Sequence, residues 1–183
     1  MTELFTVIRT AYAATFADAV ASAADYHVEA ALRHADGSLA RDGDHGLPVR
    51  VDLIPKRGAQ AGKLMSVDSS ARMQFSVHTL LIPPAVVFVA PFAWDEVLLK
   101  AGGIDSRQVA EVLAPWFMDW FDPEDANRQN EEGLFGVVHS ASDPREIDGM
   151  TAVELDLGSA PVQALEDLLT RLAAAGARDI RLA

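Results

Sequence analysis

Histidine and aspartate are concentrated between residues 27 and 45, as His27, His34, Asp36, Asp42, Asp44 and His45. Imidazole nitrogen and carboxylate oxygen are ligands for zinc and related divalent ions, and three of them around an open coordination position would activate a water for hydrolysis. His34, Asp42, Asp44 and His45 are the candidate metal ligands on this ground. Their spacing matches no compact motif: there is no H-E-x-x-H, and Asp42-Gly43-Asp44-His45-Gly46 lacks the further ligands and the terminal Glu of an EF-hand loop. The simpler account is a solvated loop in which Asp and Gly serve backbone turns.

A second group is aromatic. Trp116 with Trp120, and Phe117 with Phe121, are i, i+4 pairs on adjacent helical stripes, and Phe92 and Trp94 lie upstream. This turn carries more apolar surface than one buried face needs, which suits either a helix end sunk into the core or a docking patch whose aromatic anchors dominate binding. Asp119 and Asp122 would border such a patch with negative charge.

The third group is acidic. Glu124, Asp125, Glu131, Glu132, Asp143, Glu146 and Asp148 fall in predicted loops, and Glu154 and Asp156 fall on the outward face of a predicted strand. Exposed carboxylates do not separate their pKa values enough for paired acid and base work, so the functional reading is a surface that steers a basic partner. Nucleophilic catalysis finds no support. There is no G-x-S-x-G elbow, and His139 and Ser140 are strand neighbours that point to opposite faces. Neither a phosphate-binding G-x-x-x-x-G-K-[ST] loop nor a G-x-G-x-x-G fingerprint is present, so no cofactor is expected. His78, in an apolar segment, is expected to be a core histidine bonded to backbone.

These residues sit in a chain of 183 with 50% hydrophobic and 23% charged residues, a composition that excludes wholesale disorder and suits one domain over 1–183. The formal charge of −12 repels nucleic acid and anionic lipid. With no cysteine there is no disulfide framework and no thiolate site. Glu3 stands where a secretory signal would be basic, and the uncharged stretch 73–94 is interrupted by Pro83-Pro84 and Pro91, so a cytoplasmic protein without a membrane span is expected.

The elements that must position the groups follow from periodicity. Leu4, Ile8, Ala11, Tyr12, Phe16, Ala19 and Val20 mark a first helix over 2–23. Val28, Ala30 and Leu32 alternate with Glu29, Ala31 and Arg33, and Val49, Val51 and Leu53 with Arg50 and Asp52, the pattern of half-buried strands. Apolar strands are predicted over 73–81 and 85–89, the second covered on both faces. Asp105-Ser106-Arg107-Gln108 reads as a capping box for a helix through Val109, Leu113 and Trp116, which kinks or restarts at Pro115. A polar loop over 122–133, the best candidate boundary, precedes a hairpin of 134–140 with 150–157. The last helix opens at 158–161 with Ser159 as N-cap and ends at Gly176, and a short strand follows.

Strands arriving in a run predict an α+β fold, a mainly antiparallel sheet with helices on one face. The expected function is an acidic binding module for a basic protein partner, of the inhibitor or immunity-protein kind, acting through Trp116, Phe117, Trp120, Phe121, Glu131, Glu132, Glu154 and Asp156. A metal-dependent hydrolase in the 27–45 region and a small-ligand pocket near Trp94 and Trp116 are the alternatives.

Overall fold

The computed structural model describes residues 2–22, 25–67 and 73–183, with Asp42 described in its backbone only. Along the chain run α1 (Thr2–Ala21), β1 (Tyr26–Ala31), β2 (Arg41–Asp42), β3 (Leu47–Pro48), β4 (Arg50–Pro55), β5 (His78–Ile82), β6 (Ala85–Val89), β7 (Val97–Gly102), α2 (Ser106–Phe121), β8 (Ser140–Ala141), β9 (Arg145–Ile147), β10 (Met150–Asp156), α3 (Val162–Ala174) and β11 (Asp179–Leu182). The fold is α+β, as the order of elements predicts.

The main sheet has the strand order β5-β6-β11-β7-β10-β8, with β9 pairing β10. Among the described strands only β6 and β11 pair in parallel, and β11 is inserted between β6 and β7. A small antiparallel sheet of β1 and β4 stands beside it, and β2 pairs β3. One hydrophobic cluster runs from Phe5 in α1 to Leu182 in β11, so the 122–133 loop does not divide the core. α1 is the one described helix long and apolar enough to cross a membrane by length and composition, and its Phe5, Ile8, Tyr12, Ala13 and Phe16 pack into this cluster.

Local signals decide α2. The Asp105 carboxylate accepts the Gln108 N–H at 2.8 Å, and the Gln108 side chain accepts the Asp105 N–H at 3.0 Å, a reciprocal capping box. The helix neither restarts nor stops at Pro115 but runs through it to Phe121, where Asp122 ends it with φ +56°. Ser159 is not the cap of α3; Pro161 occupies that position without a side-chain bond, and the Ser159 hydroxyl instead accepts the N–H of Gly136 and of Val137. β5 is shorter than predicted, because Met73 to Val77 form no strand, and β6 is fully covered on one face only. His78 is exposed on β5, an outer strand of the sheet, rather than a core histidine.

The largest departure concerns the face that β1 and β4 turn inward. A half-buried strand normally sends its charged residues to water. Here Arg50 and Asp52 are buried, and in β1 Glu29 is the one residue classed as buried. The β1–β4 register omits the Glu29–Asp52 step, where Glu29 adopts φ +48°. A left-handed glutamate costs about 1–3 kcal/mol and persists only where its surroundings over-determine it.

Candidate functional site

What surrounds Glu29 is a buried polar cluster centred on His139. That residue precedes β8, and its backbone joins the two sheets: its N–H donates to Asp156 O at 3.0 Å, and its carbonyl accepts the Arg50 N–H at 2.9 Å. The ring therefore lies where β4 meets β10. Phe16 of α1 covers it edge-on at 6.0 Å, and Gly158 closes the other approach, since a Cβ there would fall 2.5 Å from Nε2.

Both ring nitrogens face carboxylates. Nε2 is 2.7 Å from Glu29 Oε1, while Nδ1 is 2.9 Å from Asp52 Oδ1 and 3.6 Å from Asp156 Oδ2. Nδ1 makes no hydrogen bond despite that proximity, so the Asp52 contact is an ion pair off the line of an N–H. Glu29 also accepts the N–H of Phe135 at 2.6 Å and of Ser159 at 3.2 Å. Burial works to raise its pKa, but the bonds from His139, Ser159 and Phe135 prevail and hold the carboxyl below its ordinary value. Burial likewise disfavours the imidazolium, and the carboxylates of Asp156, Asp52 and Glu29 outweigh it, holding the His139 pKa well above the usual histidine value.

Arg50 completes the frame. Its guanidinium donates to Phe121 O, Glu29 O and Asp122 O at 2.8, 2.6 and 2.6 Å, pairs with Asp125 at 2.7 Å, and stacks over Phe121 at 4.7 Å. α2 has no basic residue in its last turn, and Arg50 brings a positive charge to its C-terminal carbonyls from another strand.

A cleft of about 900 Å³ opens beside the cluster, lined by Leu47, Val49, residues 95–98, 140–143 and 154–156 among others. Asp156, whose side chain is 30% exposed, belongs to both the cluster and the cleft. Asp95, Glu96, Asp143 and Glu154 line it with Asp156, and its described lining contains no Lys or Arg. Asp143 is held by the N–H groups of Asp44 and His45, which keep its pKa low against burial, and Glu154 pairs with Arg145 at the rim.

The residues singled out by sequence are thus dispersed. Trp116, Phe117 and Phe121 are fully buried and cannot form a docking patch; Trp116 Nε1 donates to Ala164 O at 2.8 Å, and the half-buried Trp120 donates to Asp167 at 3.0 Å, tying α2 to α3. Their excess apolar surface is absorbed because α2 packs on both α3 and β10. Glu131 and Glu132 are exposed in the 122–133 loop, whereas Glu154 and Asp156 line the cleft. His34, Asp44 and His45 are exposed and join no group of metal-ligating geometry among the described residues; the Asp42 side chain lies outside them.

Sequence reasoning missed Glu29, Arg50, Asp52 and His139 as members of a site. The signal was charge at alternate positions of two predicted strands, which reads as a solvent face until the covering elements are known. No protein-family model matches this chain, and neither a curated protein nor a solved structure was found similar to it.

Proposed function

We propose that this protein is a binding module that takes a basic segment of a protein partner into the acidic cleft. The observation that carries the reading is the cleft lining, which gathers the five carboxylates of Asp95, Glu96, Asp143, Glu154 and Asp156 along one opening. In a chain of net charge −12, low-dielectric walls focus this field and favour encounter with a cationic surface. An inhibitor of a basic effector, of which an immunity protein is one form, is the concrete version. Glu131 and Glu132, away from the cleft lining, have no part in it, and the buried aromatic residues of α2 act only through stability.

The test is titration of a labelled Lys- and Arg-rich peptide, with chelator present, over a range of salt. Glu96→Gln/Glu154→Gln is expected to weaken binding and flatten its salt dependence, while Glu131→Gln/Glu132→Gln leaves both unchanged. Equal weakening by the two pairs means that diffuse net charge attracts the peptide, and the cleft reading is then wrong.

A further inference from the structure

We propose that Asp52, His139 and Asp156 form a divalent-cation site at the inner wall of the cleft, suited to an ion of the zinc or manganese class. One ligand atom from each converges with the others within 4.8 Å. Ligands bound to such an ion at about 2.0–2.2 Å lie about 3 to 3.5 Å from one another, and the separations of Nδ1 from Asp52 Oδ1 and Asp156 Oδ2, 2.9 and 3.6 Å, bracket that range.

The carboxylates are oriented in advance. Asp52 Oδ2 accepts the Val67 N–H at 2.6 Å, and Asp156 Oδ1 accepts the Gly158 N–H at 2.9 Å. In each aspartate a backbone amide anchors one oxygen, and the other is turned toward Nδ1. Nδ1 itself is fully buried without a hydrogen bond. Glu29 holds the opposite nitrogen, the arrangement by which a carboxylate fixes the tautomer of a metal-binding histidine and leaves Nδ1 as the ligand.

Charge points the same way. Glu29, Asp52 and Asp156 surround one imidazole, and a divalent ion replacing the Nδ1 proton offsets the excess negative charge. The Tyr12 hydroxyl, like His139 Nδ1, is a fully buried polar atom without a hydrogen bond. A nitrogen ligand with two carboxylates favours a transition ion over magnesium or calcium. Asp156 gives the site its opening to the cleft.

The inference stands apart from the partner reading, since the peptide titration is run in chelator and either can fail alone. The experiment is a titration of chelator-treated protein with Co²⁺, followed by visible absorption and calorimetry. One ion per chain is expected, with d–d bands that report nitrogen ligation. Asp156→Asn, which keeps an acceptor for Gly158, is expected to weaken binding about tenfold or more. His34→Ala/His45→Ala is expected to bind as the parent does. Absence of saturable binding, unchanged affinity in Asp156→Asn, or loss in the His34→Ala/His45→Ala protein overturns the proposal, the last by moving the site to the 27–45 loop.

Discussion

Glu29 Oε1 lies 2.7 Å from His139 Nε2 across 110 residues of chain, and both side chains are fully buried. The contact joins β1 of the small sheet to the segment that leads into β8 of the large one. It also gives a reason for the left-handed backbone of Glu29, whose carboxylate is claimed by three donors at once.

Because both Glu29 oxygens accept N–H groups, Glu29→Gln sets an amide donor against a donor. A loss of about 3 kcal/mol is expected, read as a lower urea midpoint with an unchanged slope. A loss below about 0.5 kcal/mol, the range of ordinary surface substitutions, would show that this carboxylate does not hold the sheets together.

Gly158 has φ +49°, and an added Cβ would fall 2.5 Å from Nε2 of His139. Gly158→Ala thus combines backbone strain with displacement of the ring, and about 2–4 kcal/mol of destabilisation is expected. Thermal unfolding measures it, and the His139 ring resonances should shift in the folded protein. An unaltered Tm contradicts the close packing of ring and glycine.

Arg50→Met retains apolar length but leaves the carbonyls of Phe121, Glu29 and Asp122 without their donor. The expected cost is about 3–5 kcal/mol, that of removing one partner from a buried charged network. Amide exchange should accelerate first in the last turn of α2. If the whole protein opens uniformly instead, Arg50 is not acting as that helix's C-terminal cation.

Asp125 carries the pH prediction. Partial burial opposes its ionisation, but hydrogen bonds and charges from Arg33 and Arg50 prevail and lower its pKa. A carboxyl lower in the folded than in the unfolded chain adds stability above its unfolded value of about 3.9, and that stability is lost as pH falls through the folded value. The parent should therefore lose more stability than Asp125→Asn as pH drops from about 5, and the two curves should converge at lower pH. The side chain is 48% exposed and screened, so the neutral-pH difference is expected to be under about 1 kcal/mol. Urea midpoints across pH give the comparison, and parallel curves count against the ion pairs.

Much of the architecture was legible from short-range pattern. The capping box at Asp105, the run of β6, and the alternation of Val153 and Leu155 with Glu154 in β10 appear where periodicity and caps place them. Such signals depend on residues within a turn or two of each other, so one chain suffices to read them. Pro115 shows the limit: its position predicts an interruption, yet packing of Trp116 and Phe117 into the core keeps α2 continuous. Of the candidate site, the sequence singles out Asp143, Glu154 and Asp156, as exposed acidic residues rather than as neighbours of His139.

What the sequence determined by itself is therefore the identity and approximate extent of most elements and the α+β class. Tertiary structure decided which face of β1 and β4 is inside. A period-2 pattern defines two faces but not which one is covered, and here α1, the segment before β8 and the loop after α2 cover the charged one. Glu29, Asp52, His139 and Asp156 become a cluster only when those covers are in place, because their proximity comes from long-range packing and has no local signature.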